Sequence, residues 1–119
     1  MKLDFAGSVP IYQQIRDQIV QAVAEGIFTD GDKLPTIRAL AGEIGVNTMT
    51  VNKAYQLLKQ EGYIITDRRS GAVVRCAGNR KEAVEREIAK DLELLAAEAK
   101  IAGISRQEFL ELCGKVYGR

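Results

Sequence analysis

Apolar residues recur every three or four positions through most of this chain, and the repeat breaks at glycines. Ile11, Ile15, Ile19, Ala22 and Val23 form one such stripe. It predicts a first helix that starts near Ser8 or Pro10 and ends at Gly26. Ser8 is read as its cap, and Pro10 fits a first turn. The next segment, IFTDGDKLP, reads as a loop: Asp30-Gly31 turns the chain, and Ile27 and Phe28 tuck under the domain. Ile37, Leu40, Ala41 and Ile44 predict a second helix capped by Thr36, with Arg38 off the buried face. Gly45 permits a sharp turn, and Val46 packs into the junction. Asn47 then caps a third helix over residues 48–61, with Val51, Ala54, Tyr55 and Leu58 on its inner face and Gly62 at its end.

Beyond Gly62 the pattern changes. YIIT and AVVR are rich in β-branched and aromatic residues and flank DRRSG, a turn-like segment, so they predict a hairpin. Helix, turn, helix, hairpin is the order of a winged helix-turn-helix. After an Ala77-Gly78 linker, Asn79 and Glu82 have capping-box spacing. Val84, Ile88, Leu92, Leu95, Ala99 and Ala102 then repeat at steps of three and four, predicting a helix to residue 102 that Gly103 breaks. Ser105 and Glu108 repeat the capping-box spacing for a last helix reaching Tyr117, with Phe109, Leu112, Cys113 and Val116 on one side. A hairpin of roughly 40 residues is too small to bury its own stripe. Coiled-coil spacing favours a second subunit as its cover, with Val84, Ile88, Leu92, Leu95 and Ala99 at the interface. Packing on the first helix is the competing reading. The expected fold is mainly α with a small β-hairpin. A winged helix-turn-helix over residues 1–76 precedes a C-terminal two-helix dimerisation hairpin over residues 77–119.

Charge sharpens this picture by its distribution. The chain has 17 Lys and Arg against 16 Asp and Glu, a net of +1 that is uninformative alone. Between Lys33 and Arg75 there are seven bases and three acids, whereas from Asn79 to Arg119 there are eight of each. The positive field therefore sits on the helix-turn-helix and hairpin, as a double-stranded DNA partner requires. There is no histidine, no phosphate loop and no nucleophile motif. No enzyme activity, cofactor or metal site is expected. No apolar run reaches membrane-spanning length and the N-terminus lacks an apolar signal core, so a cytoplasmic protein is expected. Cys76 and Cys113 read as two reduced thiols, with a redox role as the lesser alternative. No small-molecule effector is assigned.

The first turn of a recognition helix faces base edges. Here it carries Asn47, Thr48, Met49 and Thr50, followed by Asn52 and Lys53. Asn can pair with adenine through two hydrogen bonds, and Thr or Met can meet a thymine methyl. Asn47 has the alternative task of capping, and Thr50 fits either role. Asn52 and Lys53 show no folding task and are assigned to DNA. Arg38 can lie on the backbone or reach a guanine, and Tyr55 is read as core. Arg68 and Arg69 at the hairpin tip suit phosphate or minor-groove contact; the bland alternative is that they keep the tip soluble. A winged helix that binds protein rather than DNA is the runner-up function, disfavoured by the basic outer face.

The segment LPTIRALAGEIGVNTMTVNKAYQLLKQEG, with PIYQQI upstream and a basic hairpin ending in GAVV, resembles the GntR family of bacterial transcription regulators. Leu34, Pro35, Arg38, Gly45, Val46, Thr50, Val51, Ala54, Tyr55 and Gly62 fit its pattern. With roughly 40 residues after the hairpin, the chain looks like the YtrA-type subgroup, whose C-terminal part is a short helical dimerisation unit. The resemblance implies a homodimeric repressor, often of a transporter operon. It places DNA contacts on Arg38, residues 47–50, Asn52 or Lys53, and the wing tip, including Gly71. Two positions depart from the pattern. Many members have Ser-Arg where Asn47-Thr48 stand, and the wing commonly reads Gly-Arg-Gly where this chain has Arg69-Ser70-Gly71.

Overall fold

The structure, a computed structural model, describes residues 1–76, 78 and 80–118. Its elements run α1 (Ile11–Ala24), α2 (Ile37–Ile44), α3 (Thr48–Gln60), β1 (Ile64–Asp67), β2 (Gly71–Val74), α4 (Lys81–Ile101) and α5 (Arg106–Tyr117). The chain divides into two units, Met1–Ala77 and Gly78–Arg119. The first is a winged helix-turn-helix.

One apolar cluster holds that first unit together. Ile15 and Ile19 come from α1, Leu40 and Ala41 from α2, Val51, Ala54, Tyr55 and Leu58 from α3, and Ile64 and Val74 from the hairpin. Each stripe thus follows the helical period read from the sequence and meets the others at a common centre. Fully burying a side chain such as Leu58 is worth about 1.5–3 kcal/mol over leaving it in water.

Local chemistry sets the α2–α3 geometry. The Ala39 N–H donates to Thr36 Oγ1 at 3.0 Å and caps α2. Gly45 closes it in the left-handed region at φ 73°, which an L side chain rarely adopts. Asn47 Oδ1 accepts the Met49 N–H at 2.7 Å and caps α3. At the other end the Gly62 N–H bonds Lys59 O and the Tyr63 N–H bonds Leu58 O. That Schellman pair ends α3 and launches the hairpin.

The wing pairs antiparallel, with Ile64 opposite Val74 and Asp67 opposite Gly71. The segment expected to be a plain loop adds to it. Gly31 donates to Val74 O, Val74 donates back to Asp32 O and Leu34 donates to Ala72 O, at 2.8–2.9 Å. Lys33 bridges Val73. Residues 31–34 therefore line the outer edge of β2 and tie the wing to the start of α2.

Other expectations need correction. Ser8 does not cap α1, whose N-cap is Pro10 with no side-chain bond. Instead the Pro10 carbonyl accepts from Gln13 and Gln14 amides. The arm before it is folded by other groups: Asp4 Oδ1 accepts the Ala6 and Gly7 amides, and the Gln14 side chain bonds the Asp4 backbone and Val9 O. Ile27 is 66% exposed, not tucked in, because its N–H closes α1 on Ala22 O and fixes the backbone there. Phe28 does pack against the core.

In the second unit the capping box at Ser105 and Glu108 is formed in both directions. Its bonds to Ser105 hold the Glu108 carboxyl below the usual range. For α4 the N-cap position is Arg80, whose side chain does not cap the helix, while Asn79 lies outside the described residues. Much of the apolar side of both helices is exposed: Val84, Ile88 and Leu95 on α4, and Leu112 and Val116 on α5. Leu92 is half-buried, and Ala99 is buried.

Candidate nucleic-acid interface

A concavity of about 620 Å³ opens between the start of α2, the outer side of α3 and the wing. Its lining includes Arg38, Asn52, Arg68 and Arg69, expected at DNA from their type and position, and Gly71, expected there from the family resemblance; the five come from three separate segments. Lys33 adds a fourth cation, and no Asp or Glu is among the lining residues. The floor is held by Tyr55, whose hydroxyl donates to Pro35 O at 2.6 Å. That bond ties α3 to the residue before the α2 cap, so the two walls are joined directly. Burial pushes the Tyr55 phenol up to about 12.

The helix ends reinforce this positive field. Neither α2 nor α3 has an acid in its first turn, whereas α4 and α5 carry Glu82 and Glu108 there. Acids usually offset the positive end of the helix dipole, so these two helix starts remain available to an anion.

The wing tip is a tight turn. Asp67 Oδ1 accepts the Arg69 N–H at 2.9 Å, which turns that carboxylate inward on the backbone. Gly71 sits at φ 70° and an added Cβ would meet nothing within 4 Å, so the backbone conformation, not space, requires glycine. Both arginines are exposed.

On the other side of α3, Met49, Thr50 and Lys53 line a second hollow with Ile11 and Tyr12 of α1. Met49 is 76% exposed. Lys53 has a neighbour that the sequence did not reveal: its ammonium lies 4.1 Å from the centre of the Tyr12 ring. Asn47 and Thr48 are exposed at the α3 start and line neither hollow. Sequence reasoning missed Lys33, Gln56, Thr66 and Ser70 in the groove. Gln56 stands four residues after Asn52, and that spacing was the signal for it. Lys33 is placed by pairing with β2, which no local pattern signals.

A cationic groove bounded by a capped helix-turn-helix and a basic hairpin defines a winged-helix DNA-binding transcription regulator. Residues 11–74 match the model for bacterial regulatory proteins of the gntR family. The chain belongs to that family. It is 36% identical over 115 residues to the HTH-type transcriptional repressor YtrA of Bacillus subtilis, covering 93% of this chain and 87% of that protein. Among solved structures, a transcriptional antiterminator from Listeria monocytogenes EGD-e superposes with a TM-score of 0.86 at 28% identity, covering 100% of this chain and 90% of that one. The DNA-binding domain of AraR, solved in complex with operator ORR3, superposes at 0.55 with 26% identity, covering 62% of this chain and 89% of that one. The family and these relatives are transcription regulators, not enzymes. No helix among the described residues is long and apolar enough to cross a membrane.

Proposed function

We propose that this regulator is a cytoplasmic homodimeric repressor that reads its operator with the start of α3 and grips the flanking backbone with Arg38 and the wing. The observation that carries this reading is the groove in which Asn52 meets four cations and no carboxylate. Base-edge donors and phosphate-neutralising cations are the two components that specific duplex binding combines. The α4 side chains support a dimer. Val84, Ile88, Leu92 and Leu95 recur at steps of three and four, three of them exposed, while Ala99 is already covered within the chain and adds least. Two such faces meeting would remove both from water. The similarity to a protein named a repressor supports repression. Control of a transporter operon follows from the YtrA-type resemblance.

Enrichment of genomic fragments on the purified protein, followed by a promoter fusion to the recovered site, tests the proposal. Transcription from that promoter should rise when the regulator is removed. A fall would make it an activator, and the absence of any enriched fragment would sink the operator reading.

A further inference from the structure

The geometry points to Tyr12 as a positioning residue for DNA binding, acting through Lys53. The inference rests on the assignment of Lys53 to the DNA face.

Tyr12 belongs to the first turn of α1 and packs, half-buried, against the core cluster. Its ring is thus fixed by the fold. The Lys53 ammonium sits 4.1 Å from the ring centre, well inside cation–π range. Among the described residues no ion pair engages Lys53. This choice of partner has a consequence. A carboxylate would hold the ammonium and cancel its charge. A ring holds it and leaves the charge whole, so the cation stays available to a phosphate while its long side chain is already ordered. A free lysine loses rotamer freedom on binding a phosphate; this one has given up much of it in advance.

Placement agrees with that task. Lys53 and Met49 are one turn apart on α3, and both line the hollow beside Tyr12. Asn52 lines the other concavity, where the wing cations gather. A recognition helix in the major groove runs between two sugar–phosphate backbones. The wing side provides cations for one, and the Tyr12–Lys53 pair provides one for the other.

The test measures anisotropy of a fluorescein-labelled random-sequence duplex against protein at several salt concentrations. Tyr12→Leu should weaken binding about two- to tenfold, the cost of ordering one lysine side chain that is no longer ordered in advance, without changing the salt slope, because Lys53 still reaches its phosphate. Tyr12→Phe should bind like the parent. Lys53→Ala should lower the log–log slope by about 0.9, and in that background Tyr12→Leu should have no further effect. Unchanged or tighter binding by Tyr12→Leu, or an equal loss with and without Lys53, overturns the inference. Lys53→Ala with parental affinity and slope overturns the assignment of Lys53 itself, and a parent with no salt-dependent binding overturns the DNA face. Should Tyr12→Leu fail to fold, the parent decides: Lys53 ε-methylene proton resonances shifted upfield by the ring in the DNA complex support the inference, and loss of that shift on binding refutes it.

Discussion

Arg16 forks onto both carboxylate oxygens of Glu61, Nε to Oε1 at 2.8 Å and Nη2 to Oε2 at 2.9 Å. The pair joins the middle of α1 to the C-cap of α3. The guanidinium also bonds Asp17 and lies 5.5 Å from the centre of the Tyr63 ring. These bonds, that to Glu61 foremost, raise the Arg16 pKa further above an already high value. The recognition helix is therefore fixed at the end remote from its base-reading turn.

Glu61→Gln keeps the shape and removes the charge. The pair is partly screened, with a fifth of Arg16 and a third of Glu61 side-chain surface exposed. A loss of about 1 kcal/mol is expected, smaller in high salt. Urea unfolding of Glu61→Gln, Arg16→Met and the double variant measures it. Additive losses would mean the two residues do not act as a pair.

Tyr55→Phe removes the donor to Pro35 O and should cost about 0.5–1.5 kcal/mol at neutral pH. Its pH dependence has a defined sign. The folded protein holds the phenolic proton more tightly than the unfolded chain, with a pKa of about 12 against 10. That contribution is fully present below pH 10 and is lost as pH rises through about 12. The stability gap between parent and Tyr55→Phe should shrink across this window. Stepwise alkaline urea titrations of both proteins check it, and a constant gap would show that Tyr55 does not ionise with unfolding.

The boundaries of α2 and the start of α3 were legible because capping is local. Thr36, Gly45 and Asn47 each act within three residues of where they stand, so their side-chain chemistry is readable without the rest of the chain. The groove was legible by parts: Arg38, Asn52 and the wing arginines each stood out by residue type and position, but their meeting in one concavity depends on packing. What escaped was long-range. Nothing in DGDKL signals a strand, and its pairing with β2 exists only once Val74 is buried. Tyr12 and Lys53 lie on different helices, and only the core brings ring and ammonium together. Ser8 failed as a cap because Asp4 and Gln14 fold the preceding arm.

Arg68 and Arg69 together should contribute through counterion release. Changing both to Ala should leave thermal stability unchanged, since an exposed turn buries little. Binding should weaken on every sequence, with the log–log salt slope falling by about 0.9 for each phosphate that is no longer neutralised. An unchanged slope would reduce the wing to a structural flap.

Asn52→Ala should weaken binding to a selected site by roughly 1–3 kcal/mol more than to random duplex. Parallel titrations of the two DNAs measure the difference. Equal losses would move Asn52 from the bases to the backbone.

Leu92→Glu with Leu95→Glu should yield monomers or insoluble protein if α4 joins two subunits. Light scattering of the parent and variant decides, and a well-folded parental monomer would remove the tail from dimerisation.

The cap at Asn47 restricts the alphabet this helix can spell. Its Oδ1 accepts the Met49 N–H, which fixes the plane of the amide and leaves one oxygen lone pair and the Nδ2 hydrogens to face a groove. The two-bond match to adenine needs that oxygen for N6 and the nitrogen for N7 at once, so the amide cannot turn to make it without straining or giving up the cap. At that position Nδ2 can register an acceptor on a base edge, while an amino group must share the oxygen with the helix. Discrimination between purines there falls first to a neighbour.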